Sequence, residues 1–233
     1  MVKAVVFDLF GTLVDSLSRT EFDQVLGEMA DAIRAPREDF LTVWNASYTE
    51  RALGKHKSIA ASVEMIAKRL GLSPTPGEVD EAVRIRTEFS RRAMKPRADA
   101  VETLQKLREM GLKIGLITDC SLEIPILWPK TKMAGLVDAA LFSPECGCKK
   151  PDVRIYRMAC ERLGVEAEKC LYVGDGGSCE LSGATAAGMR AVMICVPYQD
   201  EDAHRLDAEE WDGETIGALS EVVGLVDGRR EEN

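Results

Sequence analysis

With 233 residues, 45% of them hydrophobic and 30% charged, the chain carries enough apolar mass for a full core and enough charge for an ordinary globular surface. A net charge of −9 argues against nucleic acid or an anionic membrane surface as the main partner, because both are bound through clustered Lys and Arg. No apolar run approaches the roughly 18 residues of a membrane-spanning helix, Met1 leads straight into a strand pattern, and the seven cysteines lack framework spacing. A reduced, cytoplasmic protein is therefore expected.

Lys3-Ala4-Val5-Val6-Phe7 is a short β-branched apolar run followed by the turn pair Gly11-Thr12, the pattern of a buried strand. It puts Asp8 at the strand's carboxyl end. In an open parallel α/β sheet ligands bind at that edge, and an aspartate there can act as a nucleophile. From residue 16 to 94 the periodicity is helical instead: Phe22, Val25, Leu26, Met29 and Ile33 recur on one face, as do Ile59, Val63, Ile66 and Leu70. Pro36, Gly54 and the Leu72–Gly77 stretch divide this region into about four helices. The loop Gly54-Lys55-His56-Lys57 lies among them.

After Lys95-Pro96 strands and helices alternate. Ala98 to Met110 is a helix with Val101, Leu104 and Leu107 on one face, and Leu112 to Ile117 is a strand ending at Thr118-Asp119. The apolar run Ala139 to Phe142 leads through Ser143-Pro144-Glu145-Cys146-Gly147-Cys148 to Lys149-Lys150-Pro151, where proline suits the first turn of the helix carrying Ile155, Met158, Ala159 and Leu163. Cys170 to Val173 is a further strand, Gly174-Asp175-Gly176-Gly177 a tight turn, and Ser178 opens a helix holding Glu180. Arg190 to Val196 is the last central strand, Trp211 to Val226 a closing strand and helix, and Asp227 to Asn233 a charged tail expected to fray. Cys146 and Cys148 are a close pair, yet a zinc site needs two more ligands and the only histidines, His56 and His204, are isolated. Cys120 reads as a small residue filling a tight loop, with a reactive thiol as the alternative.

Four of these segments together resemble the motifs of the haloacid dehalogenase superfamily. Asp8 and Thr12 fit the Asp-x-Asp-x-Thr motif of its phosphatases, but Phe10 stands where they carry the aspartate that protonates the leaving alcohol and activates water. Its dehalogenases have an aromatic or another non-acid at this place, and its phosphonoacetaldehyde hydrolases an alanine. Thr118 matches the second motif, whose hydroxyl and following backbone N–H, here that of Asp119, bind the oxygens of the transferred group. Lys150 matches the lysine before proline, and Gly174-Asp175 with Glu180 matches the acidic fourth motif.

The resemblance implies a doubly wound, parallel-sheet, Rossmann-like α/β core from residues 1–15 and 95–233, with an all-α cap from residues 16–94. It also implies Asp8, Thr118 and Lys150 as catalytic residues, and Gly11, Thr12, Asp119 and the cap's Lys57 as substrate contacts. Mg²⁺ is expected on Asp8, Asp175 and the Phe10 carbonyl, with Glu180 holding a metal-bound water. The expected substrate is a small organophosphate or phosphonate anion.

Phe10 supports two other readings: a metal-free 2-haloacid dehalogenase, and a binding or regulatory protein that has lost turnover. Dehalogenases of the superfamily typically carry Ser and Asn in the fourth motif, where this chain keeps acids. Three carboxylates converging without a cation would raise one another's pKa values, so a metal fits them better. Substrate identity and oligomeric state have no readable code in the chain.

Overall fold

The computed structural model describes residues 1–196, 202–203 and 207–226; His204 and the tail from Asp227 lie outside the described residues. Among these residues the strands form one parallel sheet in the order β3-β2-β1-β4-β5-β6. They are β1 (Ala4–Phe7), β2 (Lys113–Thr118), β3 (Ala139–Phe142), β4 (Cys170–Gly174), β5 (Arg190–Ile194) and β6 (Thr215–Ile216). The first strand is central. Val5 pairs in register with Ile114 on one side and Leu171 on the other, so the carboxyl ends of β1, β2 and β4 meet at one edge of the sheet.

Period-two alternation assigns each strand's side chains to two separate cores. Val5 and Phe7 of β1 and Leu171 and Val173 of β4 join Leu104 and Leu107 of α6 (Ala100–Glu109) on one face. Ala4, Val6, Cys170 and Tyr172 face the other way, onto Ile155, Tyr156 and Ala159 of α9 (Val153–Leu163) and Leu181 and Ala184 of α10 (Glu180–Ala186). Helices on both faces of a parallel sheet make the fold a doubly wound α/β core, and full burial on both faces explains why the strands read as unbroken apolar runs. Two short helices, α7 (Glu123–Leu127) and α8 (Ser143–Cys146), precede and follow β3 in the chain, and the closing segment is shorter than its sequence suggests: β6 has two residues and α11 (Val222–Val226) five.

Between β1 and α6 the chain forms α1 (Arg19–Ala32), α2 (Arg37–Ala46), α3 (Tyr48–Ala52), α4 (Ile59–Arg69) and α5 (Pro76–Ala93). The number differs from the expected four because the chain makes one extra turn, α3, directly after Ser47. Local sequence sets the helix starts. Ser18 accepts from the Glu21 N–H, Ser58 from the Ala61 N–H, and Thr75 with Glu78 forms a reciprocal capping box ahead of Pro76. These helices enclose a third core of their own, built on Phe22, Leu26, Met29, Phe40, Trp44, Val63, Ile66 and Phe89.

The outgoing and returning chains are held side by side. Val14 bridges to Pro96, and buried Arg97 donates from Nη2 to the Gly11 carbonyl at 2.7 Å. One local expectation is corrected at the start of α9: Asp152 is its N-cap, so Pro151 precedes the helix instead of occupying its first turn, and the Lys150–Pro151 peptide is cis.

Candidate active site

The edge of the sheet where β1, β2 and β4 end gathers Asp8, Thr118, Asp175 and, from the loop before α9, Lys150. Asp8 follows β1 and anchors its own N–H on the Val173 carbonyl at 2.9 Å. Lys150 Nζ lies 2.5 Å from Asp8 Oδ1 and 2.5 Å from Glu180 Oε2, so one ammonium is shared by two carboxylates. All three side chains are buried. Glu180 also accepts from the Tyr172 hydroxyl at 2.8 Å and the Gly176 N–H at 3.1 Å. Its position at the start of α10 is held by Tyr156, whose hydroxyl donates to the Glu180 carbonyl at 2.9 Å.

Carboxylate oxygens of Asp8, Asp175 and Glu180 all lie within 4.8 Å of one another, the one group of three metal-ligating side chains among the described residues. The titration of Asp8 and Glu180 registers the crowding. Burial and the charge of Asp175 push Asp8 up to about 6 against the opposing pull of Lys150. Burial and the charge of Asp8 push Glu180 up to about 8. For Lys150 burial acts downward, but Asp8 and Glu180 outweigh it and hold the ammonium well above its ordinary value. Three converging acids against one lysine leave an excess of negative charge in a dry place, and hard oxygen donors in that arrangement suit a divalent cation such as Mg²⁺.

A cavity of about 340 Å³ opens over this cluster, within the size range of small-molecule sites. Its core side is lined by Asp8, Phe10, Thr118, Asp119, Lys150 and Asp175. Thr118 Oγ1 is buried with no partner, a donor free for a ligand oxygen. The Asp119 side chain accepts from the Lys150 N–H at 3.0 Å and fixes the loop that carries the lysine; burial raises its pKa.

Three expected substrate contacts are placed elsewhere. Lys57 is exposed and outside the cavity lining, as is Lys55, while Gly54 before them and His56 between them are partly buried. Thr12 is fully buried beneath the site. Gly11 is also buried and does not line the cavity. With φ +86 it passes so close to Asp175 that a Cβ there would lie 2.1 Å from Asp175 Oδ2, so the glycine makes room for the carboxylate. Cys120 is buried, and burial pushes its thiol well above the ordinary range, which fits a filling residue and not a reactive thiol.

Sequence reading missed the opposite wall of the cavity. Arg51 of α3 and Arg86 of α5 line it and are 5% and 7% exposed. A signal for Arg86 exists: it interrupts the buried stripe Val79, Ala82, Arg86, Phe89, where an apolar residue belongs. Glu123, which receives Arg86 Nε at 2.8 Å, lies two residues beyond the Thr118–Ser121 loop and gives no sign in sequence of its burial. Tyr172 was legible only as part of an apolar strand, and Tyr156 gave no signal in sequence.

Residues 2–188 match the family model described as haloacid dehalogenase-like hydrolase. The chain is 32% identical over 220 residues to a glyceraldehyde 3-phosphate phosphatase of Methanopyrus kandleri, covering 89% of this chain and 90% of that one. It is 27% identical over 220 residues to an (S)-2-haloacid dehalogenase of Pseudomonas putida, with the same shares covered. A 2-haloacid dehalogenase from Pseudomonas syringae has the same fold at a TM-score of 0.72 and 24% identity, over 97% of this chain and 99% of that one.

Proposed function

The chain belongs to the haloacid dehalogenase-like hydrolase family, and on that premise we propose that it is a Mg²⁺-dependent phosphatase of a small phosphorylated metabolite, with Asp8 as nucleophile. The observation that carries the reading is the convergence of Asp8, Asp175 and Glu180 within 4.8 Å of one another, with Lys150 paired to Asp8 and Glu180. A metal-free dehalogenase has no use for so much buried negative charge. The relative at 32% identity, named a glyceraldehyde 3-phosphate phosphatase, supports the same class. We read residues 16–94 as a cap over a core of residues 1–15 and 95–233, since the inserted helices have a separate hydrophobic core and supply the far wall of the cavity.

In this reading Asp8 Oδ attacks phosphorus, the bond from phosphorus to the ester oxygen breaks, and an aspartyl phosphate and an alkoxide result. Thr118 Oγ1 and the Asp119 N–H donate to the phosphoryl oxygens, and Lys150 balances the charge of nucleophile and phosphate. Asp8, Asp175 and the Phe10 carbonyl would hold Mg²⁺, which supplies further charge neutralisation, and Glu180 would orient a bound water. Water then attacks phosphorus, the bond to Asp8 breaks and inorganic phosphate leaves. Phe10 gives the alkoxide no proton, so the leaving group takes it from water, and esters of acidic alcohols are favoured. A phosphonatase would need a cap lysine for its imine, but Lys55 and Lys57 lie outside the cavity lining, so a phosphate ester is the better substrate.

One observation favours a second reading. Phe10, an aromatic residue of the kind expected at this place in a 2-haloacid dehalogenase, lines the cavity together with Asp8, and the Pseudomonas putida relative bears that name. Acid quench during turnover of a phosphate ester, followed by peptide mass spectrometry, separates the two. The phosphatase reading requires the phosphoryl group on Asp8; turnover without label there contradicts it.

A further inference from the structure

The proposed phosphoryl chemistry uses the core wall of the cavity and leaves two cations on the opposite wall without a task. Arg51 Nη1 donates to the Trp44 carbonyl and to Ser47 Oγ, each at 2.5 Å, while its Nε is buried with no partner. Arg86 Nε donates to Glu123 Oε1 at 2.8 Å, while its Nη1 is buried with no partner. The two guanidinium groups share one aromatic neighbour, lying 4.0 Å and 5.7 Å from the centre of the Trp44 ring. Ser90 Oγ also donates to Glu123 Oε1, at 3.0 Å, while Glu123 Oε2 is buried with no hydrogen-bond partner.

Two cations more than nine-tenths buried therefore face one carboxylate, leaving a residual charge of one positive unit. Buried charge without a counterion is costly, and a protein that needed only packing here would do better with apolar side chains. Burial and the nearby Arg86 cation bring Arg51 down to about 9, as two like charges in one dry pocket require. Asn45 and Tyr48 add an amide and a hydroxyl to the same wall. Guanidinium is the side chain best matched to a planar oxyanion, and one residual positive charge corresponds to a monoanionic carboxylate more closely than to a phosphate dianion.

We infer that Arg51 and Arg86 form a subsite for a carboxylate at the end of the substrate remote from the scissile bond, so that the substrate class is a small phosphorylated carboxylic acid. The inference rests on the phosphatase reading and narrows it. Arg51 and Arg86 would be specificity-determining residues, holding the ligand by its carboxylate while Asp8 addresses its phosphate.

The test is equilibrium binding by calorimetry to the Asp8→Asn protein with Mg²⁺, using 3-phosphoglycerate and glycerol 3-phosphate, two esters of one size that differ in a remote carboxylate. The carboxylate ligand should bind at least tenfold more tightly. Arg86→Gln and Arg51→Gln should each bring the two affinities to within about twofold, chiefly by weakening 3-phosphoglycerate, and Arg86→Lys should keep part of the preference. The preference read with all arginines present stands as a test even where a variant fails to fold. Equal affinities in that protein, or a preference that survives both glutamine variants, overturn the subsite. Binding of neither ester overturns the phosphatase reading itself, and the subsite with it.

Discussion

Gly11→Ala probes the packing of the acidic cluster at a single methyl group. At φ +86 an L-residue adopts the left-handed region, which costs about 1–2 kcal/mol. Gly164 supplies the control: its φ is +67 and nothing lies within 4 Å of an added Cβ, so Gly164→Ala incurs the backbone cost alone. At Gly11 the methyl would also lie 2.1 Å from Asp175 Oδ2 and 2.5 Å from its Cγ. Asp175 must rotate and give up the Gly177 N–H it accepts at 3.1 Å. Losing a hydrogen bond to a charged group adds about 1.5–3 kcal/mol, for a total of roughly 2.5–5 kcal/mol. At about 2–4 °C per kcal/mol for a chain of this size, Tm should fall by roughly 5–20 °C in Gly11→Ala and roughly 2–8 °C in Gly164→Ala. Differential scanning calorimetry measures both. Because the displaced group is a proposed ligand, a Mg²⁺ titration of the thermal shift should show at least about tenfold weaker apparent affinity in Gly11→Ala alone. Equal falls in Tm with unchanged Mg²⁺ affinity would refute this account of how glycine and carboxylate share the space.

Further expectations concern proton transfer, charge and pH. Phe10→Asp restores an acid beside the leaving group and should raise kcat on an alkyl phosphate by about 10²- to 10⁴-fold, with a smaller gain on p-nitrophenyl phosphate, whose leaving group needs no proton; equal gains on both would show that the missing acid is not what limits turnover. Lys150→Met strands two buried carboxylates and should cost about 3–5 kcal/mol in urea denaturation, unless pH is lowered enough to protonate them. For the metal-free protein, the folded state holds protons on Asp8 up to about 6 and on Glu180 up to about 8, against 3.8 and 4.5 for the ordinary groups. Their contribution to stability is therefore full below about pH 4 and is lost as pH rises toward 8. Thermal melts across that range should show the decline, and Mg²⁺ should flatten it; a metal-free stability that rises over the same window contradicts the buried, crowded state of these acids.

The strands are legible because burial on both faces of the sheet writes them as continuous apolar runs, and three of those runs lead to a residue capable of chemistry: Asp8, Thr118 and Asp175. Proline adjacency marks Lys150, although Pro151 itself lies before the helix and not in its first turn. What sequence could not supply was the wall made by the inserted helices. Lys57 looked suitable because it follows a glycine in a polar loop, but nothing local says which way such a loop faces. Arg86 has only its place in the apolar stripe of Val79, Ala82 and Phe89 as a signal, and for Arg51 only tertiary packing reveals the burial. Gly11 was read as a turn residue near a ligand, while its closest neighbour is a carboxylate 164 positions later in the chain, Asp175.

Product release decides the central claim most directly. Phosphate from 3-phosphoglycerate and glyceraldehyde 3-phosphate, and chloride from 2-chloropropionate, are measured with Mg²⁺ and with a chelator, for the unmodified protein and for Asp8→Asn. Release of phosphate that requires Mg²⁺ and disappears in Asp8→Asn, with no chloride released, is the predicted result. Chloride release that is indifferent to the chelator, with no phosphate released from either ester, would contradict it.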